Sequence, residues 1–340
     1  MARRYINELA HQESIDQVFV ASDKQLRPNR AGSLYLQVAL SDRTGSIAAR
    51  LWNASEAIYK SFDNGDYLHV VGTAQLYQGA MQIIVSRLHK IDPAEVDEAD
   101  FAPLPAVAVD KLALRLGEIL RTMTDPALQN LAECFLMDEP FMAKLALAPA
   151  GTKNHHAYHG GLLEHVVGLM EVVVRVAPCY PQIDRDLLLM GAFLHDLGKT
   201  GELSYEHGLG YSDEGQLIGH LVMAVEMLNL KIAEAEKLSG EPMPEETVLR
   251  LKHLILSHHG EYAFGSPKLP MTVEAVALAM LDNLDAKINT FSTLMKEDPN
   301  VDSAWTTYNP NLDRKLYKGN PRKADGGDAI DECGSGRGEG

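Results

Sequence analysis

An adjacent imidazole and carboxylate, His195-Asp196, sit in the run Gly191-Ala-Phe-Leu-His-Asp-Leu-Gly-Lys199, and groups of the same two kinds recur on either side. His165 lies 30 residues before His195, His220 lies 24 after Asp196, His258 is 38 further on, and Asp282 follows 24 later. Imidazole nitrogen and carboxylate oxygen hold Zn, Mn or Fe, and neighbouring His and Asp side chains can share one centre. A lone histidine among apolar residues is usually a hydrogen-bonded core residue. Six such groups at helix-length intervals instead suit a bundle in which each helix turns one ligand inward. The chain therefore reads first as a metal-dependent enzyme, with His165, His195, Asp196, His220, His258 and Asp282 as ligands.

The elements that must position these groups are helical. From Val107 to about Met295 apolar residues recur at helical spacing. In one helix Leu163, Val166, Val167, Met170, Val173 and Val174 form one stripe, and Leu162, His165, Leu169 and Val172 form its neighbour, so His165 sits among apolar side chains. Further helices are expected over Asp186–His195, Glu214–Leu238, Glu245–His258 and Thr272–Leu294.

Residues from about 15 to 92 follow period two instead. Strands are expected at Ser33–Leu40, Ser46–Trp52, Asp66–Val71, Gln75–Tyr77 and Met81–Val85, with a Gln78-Gly79 turn and a helix near Ala54–Ser61. Five short strands in so few residues fit a small barrel. The expected division is a barrel over 1–92, an acidic, proline-bearing linker over 93–106, a helical domain over 107–308, and a disordered Gly- and Asp-rich tail over 309–340.

Composition bounds the class. The hydrophobic and charged fractions are those of a globular protein. Three widely spaced cysteines make neither a disulfide framework nor a metal knuckle, and no apolar run is long enough to cross a bilayer. No signal-peptide pattern follows the first residues, so a soluble cytoplasmic protein is expected, and a homo-oligomer is compatible with it. The net charge of −16 first argues against a nucleic-acid partner, but residues 1–92 carry 10 Lys+Arg against 9 Asp+Glu. The acidic excess belongs to the second part, so charge does not exclude such a partner.

At this point the set His165, His195-Asp196, His220, His258 and Asp282 resembles the HD-domain superfamily of metal-dependent phosphohydrolases, over roughly residues 150–295. Histidines at the positions of His220 and His258 resemble the members that hold two metals. The resemblance implies one ion on His165, His195, Asp196 and Asp282, with Asp196 bridging to a second on His220 and His258. It also implies Asp196 and Lys199 as the catalytic pair, Lys199 receiving a phosphate oxygen. Manganese is the expected metal, with Fe, Zn, Ni or Co as alternatives. His259 beside His258 is a candidate substrate contact, as are His155, His156 and His159. Asp285 is a candidate support for the ligands.

The barrel segments Leu40–Trp52 and Gly65–Gly72 resemble the OB-fold of the tRNA-anticodon type. Such barrels bind single strands with aromatic platforms and basic side chains. Tyr35, Trp52 and Tyr77, with Arg43, Arg50 and Arg87, are the candidates here. An OB-like domain followed by an HD domain containing His155-His-Ala-Tyr158, Gly160-Gly-Leu-Leu-Glu-His165 and His258-His-Gly260 resembles the YhaM family of bacterial 3′→5′ exoribonucleases. That resemblance implies metal-dependent removal of nucleotides from single-stranded RNA, and perhaps from single-stranded DNA. Two other readings remain: an HD phosphohydrolase of small nucleotides or cyclic dinucleotides, and a non-catalytic nucleic-acid-binding protein. Against the cyclic-dinucleotide version, Gly210-Tyr-Ser-Asp213 stands where a Gly-Tyr-Pro would be expected.

Overall fold

Alternating side chains close the N-terminal segment into a five-stranded barrel. The computed structural model describes residues 3–319, apart from 30–31, 78–79, 98–99, 102–105, 152–157, 205–209, 297, 299 and 301. The strands are β1 (Ser14–Pro28), β2 (Leu34–Asp42), β3 (Gly45–Trp52), β4 (Tyr67–Tyr77) and β5 (Ala80–Lys90), with the short helix α1 (Glu56–Tyr59) between β3 and β4. Their order round the barrel is β1-β2-β3-β5-β4, with β3 and β5 parallel and the other pairs antiparallel. Leu36, Val38 and Leu40 of β2 and Ile47 and Ala49 of β3 point inward and are buried, so the intervening residues face outward.

Two expectations change here. Asp66–Val71 and Gln75–Tyr77 are one strand, β4, because its register against β5 slips by a residue at Val71/Gly72 and then continues. The fifth strand is β1, whose alternation is broken by a bulge at Ser22/Gln25 and by Asp23 with φ 49°. The Gln78-Gly79 turn and part of the linker lie outside the described residues.

The helical part comprises α2 (Ala106–Leu120), α3 (Pro126–Leu136), α4 (Glu139–Leu147), α5 (Gly161–Val176), α6 (Arg185–Leu194), α7 (Lys199–Glu202), α8 (Asp213–Leu217), α9 (His220–Ser239), α10 (Glu245–Ser257) and α11 (Val273–Lys296). A two-residue pair, β6 (Leu203–Ser204) and β7 (Gly210–Tyr211), stands between α7 and α8. Aspartates start α3, α4 and α6: Asp125, Asp138 and Asp184 each accept a hydrogen bond from a backbone N–H of the first turn. α5 packs on α2, α4 and α6, and α10 on α6 and α9. The resulting core, which includes Phe135, Phe193, Leu163, Met190 and Leu254, is separate from that of the barrel.

The helix expected over Glu214–Leu238 is two helices. Gly219 adopts φ 79°, which only glycine takes readily, and the chain restarts at His220. By its contacts the chain divides into two units, residues 1–290 and 291–340. In the second, residues 309–319 were expected to begin a disordered tail, but they make turns and isolated bridges at Trp305–Tyr317 and Asn309–Arg314. A buried Asp298 that accepts from Thr307 and Lys318 orders them. Residues 320–340 lie outside the described residues. No helix among the described residues is long and apolar enough to cross a membrane.

Candidate metal centre and nucleic-acid face

Helix ends and two helix interiors bring the six expected ligands together. His165 projects from α5, whose neighbouring positions Leu162, Val166 and Leu169 are all buried. His195 closes α6, Asp196 follows it, His220 opens α9, His258 closes α10, and Asp282 lies within α11. The corner after Asp196 touches the start of α9 so closely that a β-carbon on Gly198 would stand 2.0 Å from the His220 carbonyl oxygen.

Hydrogen bonds on the far side of each ring set its chemistry. His165 Nδ1 donates to Asp285 Oδ2 at 2.8 Å, His195 Nδ1 to the Ala192 carbonyl at 2.8 Å, His258 Nδ1 to the Ile255 carbonyl at 2.8 Å, and His220 Nδ1 to Glu202 Oε1 at 3.0 Å. These partners only accept, so Nδ1 carries a proton in each ring and Nε2 is the atom turned inward. His165 Nε2 and His195 Nε2 are 3.3 Å apart, and His165 Nε2 is 3.3 Å from Asp282 Oδ1. Asp196 Oδ1 is buried without a hydrogen-bond partner, 3.6 Å from His220 Nε2 and 3.5 Å from His258 Nε2.

Inward Nε2 atoms and an orphaned carboxylate oxygen crowd a buried pocket, a donor set that divalent cations take up once any Nε2 proton is lost. The donor set therefore fits divalent metal ions. Among the described residues three groups converge closely enough to hold one: His165, His195 and Asp282; His195, Asp196 and His258; and His220, His258 and His259.

Burial opposes charge on His165, but Asp282 and Asp285 outweigh it and raise its pKa to about 9. Burial also opposes ionisation of Asp196, yet Lys199 and His195 hold it well below the carboxylate range. Lys199 Nζ donates to Asp196 Oδ2 at 2.7 Å, and that contact keeps the buried ammonium charged against desolvation. Burial, then the neighbouring His258 and His220, push His259 down to about 4, which keeps it neutral.

His259 is placed differently from a substrate contact alone. Its Nε2 is 3.3 Å from His220 Nε2, and its ring centroid is 4.4 Å from that of His258. α10 ends at Ser257, and both rings beyond it turn into the pocket. The sequence signal was a His-His pair directly before the breaker Gly260. Glu202 was not expected: three residues after Lys199, it accepts from both Nδ1 and the backbone N–H of His220. Asp285 supports His165. Glu164 accepts from the Tyr158 hydroxyl beside this centre. His159 is exposed, and His155 and His156 lie outside the described residues.

On the barrel, Tyr35 and Trp52 are cross-strand partners with ring centroids 5.1 Å apart. Trp52 is 44% and Tyr77 50% exposed, and both line one groove with Arg50, Thr73, Gln75 and His11. The Arg50 guanidinium lies 6.0 Å from the Tyr77 ring. Arg43 does not join them. It sits at the β2–β3 turn, the opposite end of that hairpin from Trp52, with its guanidinium 4.1 Å over the Tyr5 ring. Arg87 is exposed on β5 but is not among the groove residues.

Fold and site together define an HD-superfamily hydrolase joined to an OB-fold nucleic-acid-binding domain. Residues 162–287 match the HD domain family, and residues 20–91 the OB-fold nucleic acid binding domain of the tRNA anticodon family. The 3′-5′ exoribonuclease YhaM of Bacillus subtilis (strain 168) is 36% identical over 280 residues, 82% of this chain and 86% of that protein. The protein of the same name from Oceanobacillus iheyensis is 35% identical over 259 residues, 76% of this chain and 79% of its own. The chain belongs to this YhaM exoribonuclease family. Among solved structures, the second OB-fold domain of replication protein A from Methanococcus maripaludis is 26% identical, covering 26% of this chain and 94% of that domain, with a TM-score of 0.22.

Proposed function

We propose that this chain is a cytoplasmic 3′→5′ exoribonuclease that uses two divalent cations, manganese foremost, to shorten single-stranded RNA, with single-stranded DNA as a secondary substrate. The observation that carries the reading is Asp196: one oxygen faces His220 and His258, the other faces His165, His195 and Lys199. In this reading His165, His195, Asp196 and Asp282 hold one ion, and Asp196, His220, His258 and His259 the other. Bound there, the cations supply an activated water and neutralise charge on the phosphodiester.

The chain's own groups do the rest. Asp285 and Glu202 fix the tautomer and direction of His165 and His220. Lys199 holds Asp196 and offers its ammonium to a non-bridging phosphate oxygen as charge builds there. The buried walls keep bulk water away and strengthen each of these interactions. Trp52, Tyr77 and Arg50 grip the upstream bases, each stacked base contributing about 1–3 kcal/mol.

A 5′-labelled RNA incubated with Mn should give a descending ladder of shortened strands. Release of the labelled 5′ nucleotide first, or equally fast cleavage of a circular RNA, would overturn the directionality. Hydrolysis confined to small nucleotides, or binding with no cleavage in any metal, would overturn the substrate.

A further inference from the structure

The chain has two tryptophans, and the structure builds the same device round both. Trp52 faces Tyr35 across an antiparallel pair with ring centroids 5.1 Å apart; Trp305 faces Tyr317 across an antiparallel bridge with centroids 5.0 Å apart. Like Trp52, Trp305 is half-exposed (51%), and Tyr317 is exposed beside it.

This exposure is held in place by the local fold. The Thr306 N–H donates to the Leu316 carbonyl at 2.8 Å, the Leu316 N–H donates to Thr306 Oγ1 at 2.8 Å, and both residues are buried. Alternation along the two short segments therefore sends Thr306 and Leu316 inward, and Trp305, Lys315 and Tyr317 outward.

Charge singles out the same segment. Between Trp305 and Lys323 stand Arg314, Lys315, Lys318, Arg322 and Lys323 against the single acid Asp313, in a chain of net charge −16. Lys318 is tied to Asp298, whereas Arg314 and Lys315 are exposed. Exposed aromatic faces set among cations are what single-stranded nucleic acid stacks on, and an acidic partner surface offers nothing to the rings.

We propose that Trp305 and Tyr317, with Arg314 and Lys315, form a second stacking platform for single-stranded nucleic acid, outside both the barrel and the metal centre. The proposal rests on the exoribonuclease reading, and its test separates the two.

Trp52→Phe in the full-length, metal-loaded protein leaves Trp305 as the sole tryptophan while keeping an aromatic ring on the barrel. Titration with a phosphorothioate oligoadenylate, which resists cleavage, should quench Trp305 emission as the strand binds. Trp305→Ala should weaken binding of that strand about tenfold, the loss of roughly one stacked base. Trp305→Phe should restore it, which separates loss of stacking from loss of the local fold. Replacing Arg314 and Lys315 with Ala should reduce the slope of log affinity against log salt by about one to two. Unchanged Trp305 emission when strand anisotropy shows saturation would overturn the platform, as would wild-type affinity in Trp305→Ala. A change of oligomeric mass in Trp305→Ala with strand affinity intact would assign the patch to self-association instead. An RNA ladder from the wild type alongside any of these results leaves the exoribonuclease reading standing, while absence of the ladder overturns that reading by itself.

Discussion

The metal centre and the barrel groove place their chemistry on opposite sides of their folds. His195 is 0% and Asp196 3% exposed, inside the helical core, whereas Trp52 and Tyr77 keep about half their surface in water. Buried charge and unpaired nitrogen are tolerable only when every neighbour is fixed, so the centre is rigid and intolerant of change. Aromatic faces in water need no such fixing, because a ring stacks on any base. In the proposed function one region serves chemistry on a single phosphate and the other a tolerant grip.

The sharpest way to break that contrast is Asp196→Ala. It removes the one carboxylate common to both ligand sets and leaves the Lys199 ammonium buried and unpaired. Hydrolysis should fall by at least about a thousandfold, and the metal-free protein should lose about 3 kcal/mol of stability. Steady-state rates and chemical denaturation read the two effects, while strand affinity in a filter-binding assay should stay near wild type. A strand-binding loss as large as the rate loss would mean that the two regions are not separate devices.

His259→Ala comes next. If His259 is a ligand, metal analysis should show the bound ions dropping from two towards one, with a loss of about a hundredfold in affinity for the ion that leaves. Full occupancy with only KM raised would return His259 to the substrate. Glu202→Gln keeps the shape but weakens the acceptor that aims His220, and should cost about tenfold in affinity for the same ion. Isothermal titration of metal-stripped protein measures both.

The pH dependence of loading is a graded test. The His165 pKa is raised to about 9 from an ordinary 6.5, so in metal-free protein at neutral pH an ion must displace its proton. Apparent metal affinity should therefore climb about tenfold per pH unit up to about pH 9 and then level. The sign for stability is the reverse. The metal-free fold gains from protonated His165 below pH 6.5 and loses that contribution as pH rises through about 9. Melting temperatures with and without metal across this range should diverge. A flat affinity profile would show that His165 enters the folded pocket already neutral.

The smallest effect is expected from Trp52→Ala: about fivefold weaker binding of long strands, with no change in metal content or melting temperature. A drop in metal content would tie the barrel to the centre.

These contrasts also explain what the sequence could show. That His165 and Asp282 converge with His195 was legible because several histidines and carboxylates recur at helix-length intervals, a pattern that no single core histidine makes. Glu202 and Asp285 were harder, since surface carboxylates are common and their contacts to His220 and His165 exist only after the helices pack. His259 was hidden by treating α10 as continuing past Ser257, although the following Gly260 marks its end. Among the barrel candidates, Trp52, Tyr77 and Arg50 meet because β3, β4 and β5 align them. Arg43 stands on a turn, where alternation says nothing about direction. β1 was read only as part of a strand region, because a bulge interrupts the alternation that marks a strand.

The glycine behind Asp196 acts as a gauge block. With Gly198 almost touching the His220 carbonyl, the gap between the two ligand sets is set by the thickness of one backbone. One added methyl group there would push α9 outward and carry His220 away from Asp196, with every ligand still present. In the proposed two-cation reading, ion spacing and the choice of metals are therefore open to inheritance and selection through a residue that binds nothing.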